Sequence, residues 1–244
     1  MSGRLYIVPT PVGNLGDMTP RAVETLQAVD LVLCEDTRTS GVLLRHFGIT
    51  TPTASHHKYN EHDTSARVVA RLLGGEDIAL VSDAGTPGIS DPGFMLVREA
   101  RAAGIDVETL PGPTALIPAL VNSGLPCDRF TFEGFLPPKK GRRTRLEELS
   151  VEPRTFVIYE SPLRLASTLK ELADSCGGMR RAAVCREISK MHDTTHTGSL
   201  SELAEYFASN QARGEIVIVV EGVAGSAPKR IHRNKYRDSS ENED

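Results

Sequence analysis

The sequence predicts an α/β protein built from two consecutive domains. Three observations carry that prediction. Short strand-like runs alternate with helical patterns along most of the chain. Those runs are apolar almost without a break, as expected for strands of a mostly parallel sheet covered on both faces. The run Ile78–Val81 then stops at Ser82-Asp83 and gives way to a loop bearing Gly85, Pro87, Gly88, Pro92 and Gly93. Open α/β sheets bind ligands where strands end in such loops, because glycine lets a ligand approach the backbone and proline stiffens the chain.

The elements follow in order. Leu5–Val8 reads as a strand, followed by a Pro/Gly loop from Pro9 to Asp17. Thr19-Pro20 is an N-cap with proline at the first helical position, and Val23, Leu26 and Val29 line one face of the helix it opens. Leu31–Cys34 is a second buried strand, and helical patterns occupy about Ser40–Phe47 and Thr64–Leu73. The Ile78 strand leads to a helix whose cap is assigned to Asp91-Pro92, and Ile105–Leu110 is the next strand. A helix carrying Leu116, Ile117 and Leu120 starts near Pro113. Gly124 and Pro126 then interrupt the pattern, which puts a first domain at residues 1–122 and a second at 123–223. Strands are expected at Arg129–Glu133, Thr155–Tyr159, Ala182–Arg186 and Ile216–Glu221, with helices at Pro162–Cys176 and Leu200–Ala208. Ser199 and Glu202 have capping-box spacing before the last of these. From Ala224 the composition turns to Gly, Ser and charge, and residues 224–244 are expected to be a disordered tail.

Composition excludes several classes. No apolar run approaches the ~18 residues of a membrane span, and Met1 leads directly into a strand-like segment, so a cytoplasmic protein without a leader is expected. The four cysteines, Cys34, Cys127, Cys176 and Cys185, are scattered, which argues against a zinc or disulfide framework. His56, His57, His62 and Asp63 fit no standard metal-ligand spacing and read as loop residues, so no metal is expected. Neither a phosphate-binding P-loop, a dinucleotide fingerprint nor a hydrolase nucleophile elbow is present. The net charge is −4, yet Lys139, Lys140, Arg142, Arg143 and Arg145 form one basic cluster, and Lys229, Arg230, Arg233, Lys235 and Arg237 another. Each reads either as a solvated face or as a set of phosphate contacts.

Chemistry is expected at four loops that follow strands: Pro9–Leu15, Glu35–Arg38, Ser82–Gly93 and Pro111–Ala115. All four would project from the carboxyl edge of one sheet and could share a pocket. Glu35-Asp36-Thr37-Arg38 reads equally as a charged helix cap. In the second half, Glu133, Tyr159-Glu160 with Arg164, and Arg186-Glu187 with Lys190 lie just beyond or at strand ends. They read either as a charged cleft or as structural ion pairs.

These motifs, P9-T-P-V-G-N-L15, E35-D-T-R38, S82-D-A-G-T-P-G-I-S-D-P-G93, L110-P-G-P-T-A115, E133-G-F135, Y159-E-S-P162 and R186-E187, resemble in their order the tetrapyrrole methylase superfamily, and within it the branch that methylates ribosomal RNA ribose. The resemblance spans about residues 4–222. It implies the two-domain class III methyltransferase fold, with S-adenosylmethionine in the interdomain cleft. It implies cofactor contacts at Pro9, Asp83, Ala84, Gly85, Thr86, Pro87, Thr114, Ala115 and Tyr159. The implied activity is 2′-O-methylation of a cytidine in the decoding region of 16S ribosomal RNA, on the small ribosomal subunit, by a homodimer without metal. Asp36, Glu133, Glu160 and Lys190 are candidate catalytic groups by placement, with Glu61 a further alternative whose loop is favoured as substrate-facing. Asn14, Arg38, His57, Asn60 and Glu61, with the Lys139–Arg145 cluster, are candidates for the substrate. Two alternatives stand beside this reading, a tetrapyrrole-precursor methylase and a non-catalytic ribosome assembly factor. The sequence departs from the family at Leu163, where histidine is frequent, and it ends in a short charged tail where many members carry a small helical domain. RNA grip is then expected from the basic clusters, the dimer or the particle.

Overall fold

The computed structural model describes residues 2–57 and 61–223, the side chains of His62 and Asp63 excepted. Asn60, the second basic cluster and the tail therefore lie outside the described residues. Two five-stranded sheets organise the rest. The first contains β1 (Arg4–Ile7), β2 (Leu31–Cys34), β3 (Thr53–Ser55), β4 (Ile78–Val81) and β5 (Asp106–Thr109), in the order β3-β2-β4-β1-β5. Every pairing in it is parallel. Its helices are α1 (Pro20–Ala28), α2 (Thr37–His46), α3 (Glu61–Leu73) and α4 (Phe94–Ala102). Leu26 of α1 and Leu44 of α2 pack on one face with Val32, Ala79 and Val81; Leu72 of α3 and Leu96 of α4 pack on the other with Leu5, Ile7 and Leu80. This follows from right-handed crossovers: the chain steps one way through β1, β2 and β3, then back through β4 to β5, which swaps the covered face. β3, with only Thr53-Ala54-Ser55, has no hydrophobic run and is not foreseen by the sequence pattern.

The second sheet holds β6 (Phe130–Phe135), β7 (Thr155–Glu160), β8 (Arg181–Arg186), β9 (Thr194–Ser199) and β10 (Ile216–Val220), ordered β6-β7-β10-β8-β9. Here only β6–β7 is parallel and the other pairings are antiparallel, unlike the all-parallel first sheet. Its central strands are buried on both faces, so their apolar runs look like parallel strands in sequence. One face is covered by α6 (Arg142–Ser150), α7 (Leu165–Cys176) and α8 (Leu200–Ser209). The other is covered by α5 (Leu116–Asn122), whose Leu116, Ala119 and Leu120 pack on Val157, Cys185 and Val219. α5 precedes residue 123 in the chain but packs on the second sheet, and so ties the two halves together.

Two caps form as expected. Thr19 accepts from the Ala22 amide at 3.1 Å, and Ser199 and Glu202 make a reciprocal capping box. The cap of α4 differs. Gly93 is its N-cap and supplies no side chain; Glu61 of α3 reaches across and accepts from the amides of Gly93 (3.0 Å) and Met95 (3.1 Å). A carboxylate at a helix N-terminus satisfies two orphan donors and opposes the helix dipole favourably.

Candidate active site

β1 and β4 lie side by side, and their following connections run to opposite sides of the sheet. That is a topological switch point, where the departing loops leave a crevice at the carboxyl edge. The loops that meet there are tied by their backbones. Thr10 and Gly85 exchange two hydrogen bonds of 2.9 Å, and the Thr10 hydroxyl donates to the Ser82 carbonyl at 3.0 Å. The Thr86 hydroxyl donates to the Pro113 carbonyl at 3.1 Å, fastening the loop after β5 to the same group. The turn after β4 uses left-handed backbone at Gly85 (φ 82°), Gly88 (φ 85°) and also at Ser90 (φ 67°), a conformation that costs a non-glycine residue energy and marks sites held by their surroundings.

The crevice opens onto the second sheet to form a cavity of about 500 Å³, a size suited to a cofactor. Val12, Ile89, Phe135, Ile216 and Val217 give it apolar walls, while Glu35, Asp83, Asp91 and Glu215 give it acidic ones. Burial pushes the carboxyl groups of Glu35 and Asp83 above the usual carboxylate range and that of Asp91 up to about 6. Neighbouring negative charge adds to this, from Asp83 on Glu35 and from Glu35 on Asp91. Burial likewise raises the Tyr159 phenol, against hydrogen bonds with Thr114 and the Leu116 backbone. The cavity thus carries more negative charge than its own cations balance.

Of the residues expected to hold a cofactor, Asp83, Ala84, Gly85, Thr86, Thr114, Ala115 and Tyr159 all line this cavity. Pro9 and Pro87 do not. Pro9 is buried beneath the loop after β5, where a Cβ on Gly112 would lie 2.7 Å from the proline ring, so its part is to let the two loops touch.

The four expected catalytic groups are largely spoken for. Asp36 lies outside the cavity and caps α2, accepting from the Arg38 amide at 2.8 Å and from its guanidinium, which holds its carboxyl down to about 2. Glu133 has a side chain only 2% exposed and is clasped by Arg145. Glu160 reaches the cavity wall, but its two oxygens accept from the Ser161 amide, Arg164 and the Thr168 hydroxyl at 2.7–2.8 Å. Lys190 bridges Glu187 (2.9 Å) and Glu215 (3.1 Å) and lays its stem against Gly13. A carboxylate or ammonium so fully paired is poorly placed to exchange a proton.

The expected substrate contacts divide similarly. Asn14 caps the 3-10 turn Leu15–Asp17 through the Gly16 amide at 2.9 Å, and Glu61 caps α4. Arg38 is exposed beside Asp36, and His57 lies close enough to Glu35 to influence its charge. Arg142 is an internal strut, bonded to Glu171 (2.7 Å), Thr168 (2.7 Å) and the Pro137 carbonyl (3.2 Å), and Arg145 is committed to Glu133 and Glu148. Arg143, 93% exposed in its side chain, pairs only with Glu147, while Lys139 and Lys140 take part in no ion pair among the described residues.

Sequence reasoning misses Asp91 and Glu215 as cavity groups and does not single out Glu35. Asp91 has the sequence position of a helix cap, a role that Glu61 fills; Glu215 precedes β10 in a segment with no motif. Glu35 stands directly behind a buried strand, and that position is the available signal. Among the described residues no cluster of His, Cys, Asp and Glu could hold a metal ion, and no helix is long and apolar enough to cross a membrane.

This fold and cavity are those of a methylase. A family model for tetrapyrrole (corrin/porphyrin) methylases matches residues 4–204, and the chain belongs to that family. Within it, the chain is 54% identical over 224 residues to ribosomal RNA small subunit methyltransferase I of Pseudomonas aeruginosa, covering 91% of this chain and 79% of that one. It is 50% identical over 223 residues to the protein of the same name from Escherichia coli O157:H7, covering 90% and 78%. Among solved structures, the methyltransferase CobJ superposes with a TM-score of 0.67 at 19% identity, covering 91% of this chain and 95% of that chain. Uroporphyrin-III C-methyltransferase from Thermus thermophilus, complexed with S-adenosyl homocysteine, superposes at 0.61 and 19% identity, covering 92% and 100%. These last likenesses establish the two-domain fold.

Proposed function

We propose that the protein is an S-adenosylmethionine-dependent methyltransferase of small-subunit ribosomal RNA, and that it modifies the ribose 2′-oxygen of a cytidine in the decoding region of 16S RNA. The observation that carries this reading is the acid-lined cavity at the β1/β4 switch point, in a chain about half identical to relatives named for that RNA.

The residues present fit the cofactor. Bound there, S-adenosylmethionine supplies an activated methyl group on a sulfonium cation. Glu35 and Asp83 would face that positive charge, which would offset the burial, and the smaller repulsion from neighbouring carboxylates, that raise their carboxyl groups. Val12, Ile89, Ile216 and Val217 would cover apolar parts and exclude water, while Tyr159 and Thr114 offer polar contacts on the second-sheet side. Rigid loop ties hold these groups before any ligand enters, and preorganised positioning supplies much of the rate in an in-line transfer. On the outer surface, Lys139, Lys140, Arg143 and Arg38 provide cations for RNA phosphates. We place the enzyme in the cytoplasm as a homodimer.

The test is transfer from radiolabelled S-adenosylmethionine to purified small subunits, followed by mass mapping of modified ribose. Label on one decoding-region cytidine 2′-oxygen is expected. Transfer to a porphyrinoid acceptor, with subunits and free rRNA left unlabelled, would overturn the RNA assignment.

A further inference from the structure

The geometry points to Asp91 as the group that takes the proton from the acceptor hydroxyl. This inference rests on the methyltransferase reading and adds the identity of the general base, which the expected candidates Asp36, Glu133, Glu160 and Lys190 do not supply.

The Asp91-Pro92 pair, ahead of a helical pattern, reads in the sequence as that helix's cap, although the helix begins three residues later at Phe94. Here Glu61 provides the capping oxygen from a different helix, with 3.0 and 3.1 Å bonds to the Gly93 and Met95 amides. Asp91 is thereby released from the role its sequence position suggests, and it lines the cavity. The backbone just before it is left-handed at Ser90, and the turn is closed by a 3.2 Å bond from the Gly88 amide to the Pro92 carbonyl. The strained turn is thus held on both sides.

Four carboxylates besides the fully bonded Glu160 face this space, and each element brings its own surroundings. Glu215, before β10, is held by Lys190. Asp83, after β4, accepts from the Asp36 amide at 3.4 Å. Glu35, after β2, has the His57 imidazole nearby. Glu160, at the end of β7, is locked by Arg164 and Thr168. Asp91 makes no ion pair among the described residues; its polar neighbour is the Ser82 hydroxyl, and Glu35, Asp83, Glu215 and the Tyr159 phenol surround it without cationic relief. Its carboxyl, pushed up to about 6 mainly by burial, is basic enough to accept a proton and still ionised at neutral pH. In the step, the ribose O–H bond breaks and its proton passes to an Asp91 carboxylate oxygen. The freed oxygen lone pair forms the new O–C bond to the methyl group of the sulfonium donor. The C–S bond breaks with its electron pair remaining on sulfur, leaving a neutral thioether, a methyl ether and a protonated Asp91.

The experiment compares wild type, Asp91→Asn and Asp91→Glu by three measurements. Calorimetry gives S-adenosylmethionine affinity, single-turnover transfer to small subunits at saturating donor is followed from pH 5 to 8.5, and carbon NMR of labelled aspartate titrates the ligand-free protein. The expected result is donor affinity within about threefold for Asp91→Asn, a transfer rate lower by roughly 10²–10⁴-fold, loss of the acidic limb of the pH profile, and partial rescue by glutamate. The NMR resonance that titrates near 6 should disappear in Asp91→Asn. Active wild type with Asp91→Asn equally active and an unchanged pH profile would overturn Asp91 alone. So would a loss confined to donor affinity, or an Asp91 carboxyl titrating near its ordinary value. Wild type that binds the donor but labels no subunit would instead overturn the RNA reading, and the ribose proton acceptor with it.

Discussion

Replacing Asp91 by asparagine should stabilise the protein at neutral pH. The fold pushes this carboxyl from an ordinary 3.8 up to about 6, chiefly by burial and then by the charge of Glu35. A folded-state pKa above the unfolded one means that the fold favours the protonated acid. Its favourable contribution is complete below the unfolded value and is lost as pH rises through about 6. At pH 8 the ionised group therefore opposes folding. At about 1.4 kcal/mol per pH unit the gap corresponds to roughly 3 kcal/mol, and screening at this partly exposed site reduces it to about 1–2 kcal/mol. Asparagine has nearly the same shape and no charge, so it should recover that amount. For a chain of this size the gain is a melting temperature higher by roughly 2–8 °C. The assay is differential scanning calorimetry of the ligand-free wild type and Asp91→Asn between pH 4 and 8. The advantage of asparagine should be full above pH 7, shrink through pH 6 and vanish near pH 4. An advantage independent of pH, or a loss of stability at pH 8, would refute the electrostatic account of this side chain and weaken its assignment as the base.

Other outcomes follow from the same geometry. Asp83→Ala should weaken S-adenosylmethionine binding by about tenfold, the ~1.4 kcal/mol of one lost polar anchor, and calorimetry showing unchanged affinity would remove it from the site. Arg145→Ala should destabilise by about 2–4 kcal/mol, because it leaves the buried Glu133 carboxylate unpaired. Arg143→Ala, by contrast, should change stability by less than about 0.5 kcal/mol, since its partner pair is exposed; chemical denaturation that ranks the two equally would contradict this division of the basic cluster. Charge reversal at Lys139 and Lys140 should weaken binding to small subunits and lower the salt slope by about one for each phosphate no longer neutralised, with donor affinity untouched; an unaltered slope would leave them as a solvated face.

Much of the first sheet is legible in the sequence because its signals are local. Leu31–Cys34 and Ile78–Val81 are unbroken apolar runs, and the structure makes strands of those same residues. Thr19-Pro20 and Ser199 with Glu202 satisfy helix ends within a few residues of themselves, so their chemistry can be read in one dimension. β3 and β9 are not legible. Thr53-Ala54-Ser55 and Thr194–Ser199 are edge strands at the ends of their sheets, polar and partly exposed, and pairing with a neighbour defines them. The direction of the second sheet is equally hidden, because a strand buried on both faces has the same apolar run whichever way its partner points.

For the site, the sequence by itself determined the loops, the family and seven of the residues that line the cavity. Glycine, proline and a strand-ending aspartate have backbone consequences wherever they occur, so the loops Ser82–Gly93 and Pro111–Ala115 stand out in the residues themselves, and the family resemblance narrows them to Asp83–Thr86 and Thr114-Ala115, which line the cavity. Tertiary structure alone decided which charges are free. Arg142 and Arg145 belong to a basic cluster in the sequence, yet Glu171 and Glu133 claim them from distant segments. Asp91 reads in the sequence as the cap of its own helix, yet Glu61 caps that helix from 32 residues away. A charged group's role depends on its partners and its water, and both are set by long-range packing.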